Sequence, residues 1–211
     1  MGVYSLPTDL LPDFGGVTPT VSLPTQRRNF PAPMHRGYFT WSNARPRVQR
    51  GALPVDAKAE DIVGAASVAA VVVVCSGAGS GKTTRVPCYF IDDALTRGTS
   101  ARVLCTQPRR LAAMANAKRV SDEVGQGFVG HCVRGDRKMP TNASHVVYAT
   151  EGCAMKLFDN DEYTHICLDD FELRSVDMDL LLLRARIPPL SSWRFCCISQ
   201  GWEVRQSPRA T

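Results

Sequence analysis

The amino-acid sequence predicts an α/β domain with a parallel β-sheet and helices on both of its faces. The run from Ala69 to Cys75 is apolar throughout and rich in β-branched residues, which is typical of a strand buried on both faces. Segments that favour strands and segments that favour helices then alternate along the chain. Such alternation indicates a parallel sheet, because parallel strands need crossover connections that are usually helical.

The elements predicted from periodicity follow one another from residue 53 onward. A short helix over Asp56 to Ala66 precedes the strand from Ala69 to Cys75, and a glycine-rich turn follows that strand. The remaining predicted elements are a helix that begins at Lys82, a strand at Ala101 to Thr106, a helix at Arg110 to Val124, a strand at His145 to Ala149, and strand-like runs at His165 to Leu168 and Trp193 to Ser199. The chain has 211 residues, a length that suits one such domain over residues 53 to 211 and is too short for two full domains with linkers.

Residues 1 to 52 are predicted to form a disordered tail, because they are rich in Pro, Gly, Ser and Thr and show no sustained period. Between Thr25 and Arg50 every charge is positive, and aromatic residues lie among the arginines. Arginine with aromatic residues suits single-stranded RNA, through phosphate pairing and base stacking. A leader that becomes ordered on a protein partner explains the same composition equally well, so both interpretations stay open.

Composition places the chain among ordinary globular proteins and excludes several classes. The net charge of +5 favours a polyanionic partner only weakly. The eight cysteines form no paired CxxC motifs, so we expect neither a zinc site nor a disulfide framework, and we predict a reducing intracellular compartment. The nucleus or the cytoplasm is expected, with the mitochondrion as the alternative. The longest apolar stretch, from Val63 to Cys75, is too short to span a bilayer, so no membrane partner is expected.

A phosphate-binding loop is predicted at Ser76 to Thr83, between a buried strand and a helix. Its glycines allow successive backbone amides to turn toward a β-phosphate, and the helix N-terminus adds positive potential. Lys82 would reach the β- and γ-phosphate oxygens, and Thr83 would hold Mg²⁺. Ser76 replaces the first glycine of the GxxxxGK[ST] pattern, which alters the turn without removing the nest of amides. The residues predicted to bind the nucleotide here are Ser76, Gly77, Ala78, Gly79, Ser80, Gly81, Lys82, Thr83 and Thr84.

Two consecutive segments resemble the DEAH-box RNA helicases. They are Gly79-Ser80-Gly81-Lys82-Thr83-Thr84-Arg85-Val86-Pro87 and Cys105-Thr106-Gln107-Pro108-Arg109-Arg110-Leu111-Ala112-Ala113. The likeness continues in Arg119-Val120, Val129-Gly130-His131, Tyr148-Ala149-Thr150-Glu151-Gly152 and Leu168-Asp169-Asp170-Phe171-Glu172-Leu173-Arg174-Ser175, and it covers residue 53 to about residue 201. The resemblance implies the first RecA-like P-loop NTPase domain of such a helicase, with ATP or another NTP and Mg²⁺ as cofactors.

The resemblance also implies RNA contacts. Thr106, Arg109 and Arg110 match one motif that binds the RNA backbone, and Thr150 and Gly152 match a second. The alternative for the two arginines, that they only cap a turn between a strand and a helix, is less favoured. A further arginine, Arg119, matches a residue that stacks on the nucleotide base in such helicases.

The acidic motif departs from the family pattern. Where the family has Asp-Glu-Ala-His, this chain has Asp169-Asp170-Phe171-Glu172. Asp169 retains the metal-binding carboxylate opposite Thr83, whereas Asp170 occupies the position of the general base with a side chain one methylene shorter. A misplacement of about 1 Å can lower a rate on the order of 100-fold. A solvated strand end is the less favoured alternative for the two aspartates.

The motif that couples hydrolysis to strand separation is also changed. The family has Ser-Ala-Thr there, and this chain has Ser199-Gln200-Gly201, in which only the serine is kept. We expect no second RecA-like domain before Thr211. Arginine fingers, which that second domain supplies in such helicases, accelerate related phosphoryl transfer by roughly 10³- to 10⁵-fold.

The sequence therefore predicts a module that binds a nucleotide and single-stranded RNA and that hydrolyses ATP inefficiently and cannot unwind RNA alone. A second chain that completes the motor is one possible partner. The alternative is a non-catalytic helicase-like scaffold in a ribonucleoprotein assembly. A small P-loop kinase or GTPase is disfavoured, because the sequence shows no nucleoside-specific loop or lid.

Overall fold

The computed structural model describes residues 2–6, 38–39, 48–49, 53–69, 71–158, 163–185 and 194–199. In chain order the strands and α-helices are β1 (Gly2–Leu6), β2 (Tyr38–Phe39), β3 (Val48–Gln49), α1 (Ala59–Val68), β4 (Val71–Cys75), α2 (Lys82–Thr96), β5 (Arg102–Gln107), α3 (Arg110–Val124), β6 (Val129–Val133), β7 (Asp136–Lys138), β8 (His145–Thr150), α4 (Glu151–Phe158), β9 (His165–Asp169), α5 (Val176–Ala185) and β10 (Arg194–Ser199). Short 3₁₀ helices span Pro54–Lys58 and Phe171–Leu173.

An eight-stranded sheet forms the centre of the domain, with the strand order β1-β4-β10-β9-β5-β8-β6-β7. The strands from β4 to β6 in this order pair in parallel, and the two outer strands, β1 and β7, pair antiparallel. The order places β10 and β9 between β4 and β5. The carboxyl ends of these four strands therefore meet at one edge of the sheet, where open α/β sheets bind their ligands.

Helices cover both faces of the sheet, as the sequence predicts. Successive side chains of β4 point to opposite faces, so Val72 and Val74 join the apolar layer under α1, α2 and α3. Val71 and Val73 join the other layer, under α4 and α5. The β-branched run is thus buried on both faces, and the prediction of a parallel sheet with helices on both faces is confirmed, with two antiparallel edge strands that the sequence did not predict.

The first strand of the sheet, β1, lies within residues 1 to 52, which the sequence analysis assigned to a disordered tail. It pairs antiparallel with β4 over five residues, and Val3 packs against the core. A segment this short carries too little periodicity to indicate a strand, and its pairing depends on the edge that β4 offers. Within the rest of the predicted tail the structure describes only β2 and β3, which pair with each other.

The cysteines and the helices agree with a packed α/β domain. All eight cysteines are free thiols, and all except Cys153 are buried. Burial raises the pKa of the Cys88 thiol to about 12.

Among the residues that the structure describes, no helix is both long and apolar enough to cross a membrane.

Candidate nucleotide site

The loop between β4 and α2 has the backbone that a phosphate-binding loop needs. Gly79 and Gly81 have φ angles of 73° and 92°, a region that residues with a side chain rarely adopt. A Cβ atom on Gly81 would lie 2.6 Å from Leu53 Cδ1, so a side chain there would also require Leu53 to move. The helix begins directly after this glycine, where the Arg85 amide donates to the Gly81 carbonyl at 2.9 Å. The loop is therefore built to bring backbone amides to the start of α2.

Lys82 is buried within this loop. Its ammonium donates to the carbonyl oxygens of Ser76 at 2.6 Å and Gly77 at 3.0 Å, and to Ser80 Oγ at 3.2 Å. Burial lowers the pKa of Lys82, and the negative charge of Asp169 opposes this effect. With Ser76 Oγ, which lies at 3.2 Å, four loop oxygens thus hold the Lys82 ammonium within the loop.

Asp169 ends β9 opposite the loop, as the sequence predicts. Its Oδ2 atom accepts hydrogen bonds from Thr83 Oγ1 at 2.6 Å and from Gln107 Nε2 at 2.7 Å. Its Oδ1 atom is buried and has no hydrogen-bond partner among the described residues. Burial raises the pKa of this carboxyl to about 6, and the hydrogen bonds from Thr83 and Gln107 act in the opposite direction.

This donor set fits a magnesium ion. Mg²⁺ prefers hard oxygen ligands, and the hydroxyl of Thr83 and the carboxylate of Asp169 are such ligands within 2.6 Å of each other. A buried carboxylate oxygen without a hydrogen-bond donor is costly unless a cation or a proton compensates it. The unpartnered Oδ1 of Asp169 is therefore the atom that a cation would satisfy.

The residues after Asp169 leave the strand by a tight turn. Asp170 and Arg174 both have a φ of 51°, in the left-handed region, and they flank the 3₁₀ helix Phe171–Leu173. Phe171 packs against the apolar layer under α4 and α5, whereas Glu172 is exposed. The negative charge of Glu172 reaches Lys82 and Cys75 and acts on the pKa of both groups, after the larger effect of burial. The turn therefore keeps extra negative charge beside the loop.

A cleft of about 320 Å³ opens beside the loop. It is lined by Leu53, by residues 78 to 84, and by Asn116 and Arg119 of α3. Arg119 is 66% exposed, and its Nε atom donates to Glu123 Oε1 at 2.9 Å. The structure thus brings the arginine that the sequence assigns to the nucleotide base next to the phosphate-binding loop.

The residues assigned to RNA lie in two groups. Arg109 and Arg110 are exposed at the start of α3, and Gly152 is exposed in the first turn of α4. Gln107 and Thr150 are paired at the ends of the parallel strands β5 and β8. The segments that follow these two strands therefore start next to each other. Thr106 differs, because it is fully buried and its hydroxyl accepts a hydrogen bond from the Asp169 amide at 3.2 Å. The structure therefore places the Thr106 hydroxyl inside the sheet, away from the surface of the two arginines.

Ser199, assigned to coupling, lies at the end of β10 beside the loop. Its carbonyl accepts a hydrogen bond from the Ser76 amide at 3.3 Å, and it pairs with Cys75 in the sheet. The side chain is buried, and its Oγ atom has no hydrogen-bond partner among the described residues. The other two residues of that motif lie outside the described residues.

Sequence reasoning missed several polar residues that support the site. Gln107 and Asn116 reach Asp169 through a chain of hydrogen bonds, and Tyr148 Oη donates to the Thr83 carbonyl at 3.0 Å. Gln107 and Tyr148 lie within the segments quoted for the family resemblance, but nothing in those segments indicates their partners. The long separation along the chain, 62 residues between Gln107 and Asp169, hides these contacts from local patterns.

Comparison with known proteins agrees with this arrangement. No family model matches the chain. The chain is 34% identical over 140 residues to "ATP-dependent RNA helicase DHX30" of Homo sapiens, an alignment that covers 62% of this chain and 12% of that protein. It is 36% identical over 141 residues to "Probable ATP-dependent RNA helicase spindle-E" of Drosophila ananassae, which covers 64% of this chain and 10% of that protein.

A solved structure shows the same fold. The DEAH/RHA helicase HrpB of Escherichia coli superposes with a TM-score of 0.62 and 25% sequence identity, over 72% of this chain and 20% of that one. The chain spans about a tenth of the length of the curated relatives described above, with shares of 12% and 10%. The sequence motifs, the sheet and these relatives agree, and the chain therefore contains a RecA-like domain region of the DEAH-box helicase family.

Proposed function

We propose that this domain binds a nucleoside triphosphate with Mg²⁺ at the loop from Ser76 to Thr84 and single-stranded RNA at the adjacent sheet edge, and that alone it hydrolyses the nucleotide inefficiently and does not unwind RNA. The observation that carries the proposal is the hydrogen bond of 2.6 Å between Thr83 Oγ1 and Asp169 Oδ2 beside a buried lysine. ATP is the nucleotide expected by default, because the relatives are named as ATP-dependent helicases.

Residues of the loop would bind the phosphates, and Thr83 and the end of β9 would bind the metal ion. Backbone amides of the loop and the ammonium of Lys82 would bind the phosphates. Thr83 and Asp169 would hold Mg²⁺, which when bound neutralises charge on the β- and γ-phosphates. Arg119 and Leu53 line the cleft that opens beside the loop, where the ribose and base would lie. Arginine stacks on any base, so we expect weak discrimination among nucleotides.

The turn after β9 supports the proposal of slow hydrolysis. A general base must lie within about 3 Å of the water that it activates. Asp170 is one methylene shorter than the glutamate of the family, and its backbone is in the left-handed conformation. Glu172 adds an anion near the place where the phosphates would bind, and this repels the negative charge that develops during phosphoryl transfer.

The RNA part of the proposal is supported by the exposed arginines. Arg109 and Arg110 are exposed at the sheet edge, where guanidinium groups can pair with phosphates. Thr150, which pairs with Gln107 at the end of β8, and the exposed Gly152 would donate hydrogen bonds to the same RNA backbone. All of these contacts are to the backbone, so we expect no sequence preference. The proposed setting is a reducing intracellular compartment.

The experiment that tests the proposal is equilibrium binding of a fluorescent ATP analogue in the presence of Mg²⁺. Lys82→Ala should raise the Kd at least about ten-fold, because a charge-assisted contact to phosphate is lost. Lys118→Ala is a matched control, since Lys118 is 78% exposed and pairs with Asp122 at 2.6 Å. Thermal unfolding of each variant checks that it is folded. The proposal fails if the folded wild-type domain shows no saturable binding at millimolar nucleotide.

A second function, a non-catalytic scaffold in a ribonucleoprotein assembly, is favoured by one observation. Phe171 and Glu172 occupy the positions where the family has alanine and histidine, and the histidine links the nucleotide to RNA in such helicases. A scaffold binds its partner equally well with and without ATP and after Lys82→Ala. A nucleotide-dependent module, including half of a motor that another chain completes, loses its partner in the same variant.

A further inference from the structure

Gln107 and Asn116 connect the cleft to the metal-binding carboxylate. The Asn116 Nδ2 atom donates to Gln107 Oε1 at 3.0 Å, and Gln107 Nε2 donates to Asp169 Oδ2 at 2.7 Å. Gln107 is 2% exposed, so its amide depends on these protein partners and not on water. The Gln107 Nε2 atom also donates to the Thr106 carbonyl at 2.9 Å, which uses its second hydrogen.

The carboxylate of Asp169 is oriented by two donors from different elements. Thr83 comes from the start of α2, and Gln107 comes from the end of β5. Both donate to Oδ2, so rotation of the carboxylate would break two short hydrogen bonds at once. Of these two donors, only Thr83 is expected to bind a metal ion. Gln107 therefore holds Asp169 in the same orientation whether or not Thr83 binds a metal ion.

Asn116 supports the orientation in which the donor end of the Gln107 amide faces Asp169. An amide side chain has a donor end and an acceptor end, and a carboxylate accepts only. Because Asn116 donates to Oε1, the donor end of Gln107 is left for Asp169. The reversed amide would bring two acceptor oxygens together at the position of the 2.7 Å contact, which is repulsive.

Asn116 also lines the nucleotide cleft, one helical turn before Arg119. We infer that Asn116 and Gln107 are positioning residues that tie the cleft to Asp169, so that the contribution of Mg²⁺ to nucleotide binding depends on both. This inference rests on the proposed function. It is specific to the metal-dependent part of binding, because the hydrogen bonds of Asn116 and Gln107 lead to Asp169, whereas Lys82 is held by the carbonyls of Ser76 and Gly77.

The test measures the Kd of a fluorescent ATP analogue twice for each variant, once in Mg²⁺ and once in EDTA. Gln107→Met keeps the length of the side chain and removes its hydrogen bonds. We expect it to raise the Kd in Mg²⁺ roughly ten-fold and the Kd in EDTA less than about two-fold. Asn116→Leu leaves Gln107 in place but removes the donor to its Oε1 atom, so we expect a smaller rise in Mg²⁺, roughly three-fold, with the same selectivity.

Arg119→Ala is the matched control, because it changes a cleft residue outside the hydrogen-bond chain. It should raise the Kd by the same factor in Mg²⁺ and in EDTA. An equal rise in both conditions for Gln107→Met and Asn116→Leu, or no rise in Mg²⁺, overturns the inference while leaving the proposed function intact. If the wild-type domain binds the analogue in neither condition, the proposed function itself fails and the inference fails with it. Asn116→Leu changes a half-buried residue, so it remains informative if Gln107→Met does not fold.

Discussion

The guanidinium of Arg85 on α2 donates a hydrogen bond of 3.1 Å to the carboxylate of Glu123 on α3. Arg85 is 4% exposed, and Asp56 Oδ1 lies 3.8 Å from its Nε atom. The other oxygen of Glu123 accepts from Arg119 at 2.9 Å. One carboxylate therefore joins the helix that begins at the loop to the arginine that lines the cleft.

Replacing Glu123 should destabilise the domain. Glu123→Ala removes the 3.1 Å partner of the buried Arg85 guanidinium, and we expect a loss of roughly 2 kcal/mol in the free energy of unfolding. Urea unfolding measures this loss in the free energy of unfolding. Asp122→Ala is the control, because Asp122 is 60% exposed and its pair with Lys118 should contribute less than about 1 kcal/mol. Equal losses in the two variants would contradict a stabilising role for the buried pair.

The contribution of His165 to the stability of the domain should fall as pH decreases from about 6.5 to 4, whereas the raised pKa of Asp169 acts in the opposite direction over the same range. Burial lowers the pKa of His165 to about 4, and the charge of Arg194 acts in the same direction. The unfolded chain binds the proton below about pH 6.5, whereas the folded domain binds it only near pH 4. Stability contributed by the neutral imidazole is therefore complete above pH 6.5 and is lost as pH falls, by roughly 3 kcal/mol in total.

His165→Phe isolates this effect, because phenylalanine does not titrate but keeps a ring at this position. In the wild-type domain the ring centroids of His165 and Phe90 are stacked 4.5 Å apart. The difference in unfolding free energy between the wild-type domain and His165→Phe, measured at several pH values between 4 and 7, should shrink or change sign toward low pH. A difference that is constant over this range would show that His165 does not cause the pH dependence.

Lengthening the side chain at position 170 should increase hydrolysis without changing binding. Asp170→Glu alone restores the methylene that the family has at this position. We expect phosphate release to rise roughly ten-fold over the wild-type rate. The Kd of the ATP analogue should change less than about two-fold, since Asp170 is not an expected ligand. A large change in Kd with no change in rate would instead place Asp170 in nucleotide binding.

RNA binding should depend on the exposed arginines and on salt. The double variant Arg109→Ala/Arg110→Ala should weaken binding of single-stranded RNA at every sequence and lower the slope of log K against log salt by about 1 to 2. Fluorescence anisotropy with an oligouridine at several salt concentrations measures both. Arg97→Ala is the control of equal charge for the single variants Arg109→Ala and Arg110→Ala, because Arg97 follows α2 and pairs with Asp93 at 3.0 Å. A similar loss in the control would indicate nonspecific attraction.

The sequence predicted the elements that have strong internal periodicity. The bounds of α3, Arg110–Val124, agree with the prediction because its buried residues Ala113, Ala117, Val120 and Val124 recur at helical spacing. The phosphate-binding loop was predicted for a similar reason, since its glycines, Lys82 and Thr83 lie together in the chain. For both features, the residues of one continuous segment were enough for the prediction.

The features that the sequence did not predict depend on pairing between distant segments. The strand β1 is recognisable only from its pairing with β4, and the role of the Gln107 amide is apparent only from its hydrogen bond to Asp169. The position of Thr106 was also hidden, because the motif that contains it gives no sign that its hydroxyl bonds to the neighbouring strand. Propensity and periodicity describe one segment at a time, whereas these contacts join two.

The position of β10 has a consequence for the order in which the domain can be assembled during synthesis. Arg194–Ser199 is the last described strand in the chain, yet it lies between β4, which leads into the loop, and β9, which ends at Asp169. A nascent chain that lacks β10 has no strand to join the two, and pairing over such long sequence separations is slow. The sheet can therefore join the end of β4 to Asp169 only once β10 has been synthesised. Until then the edges of β4 and β9 are open to mispairing, which makes this stage the point at which chaperones would protect the chain.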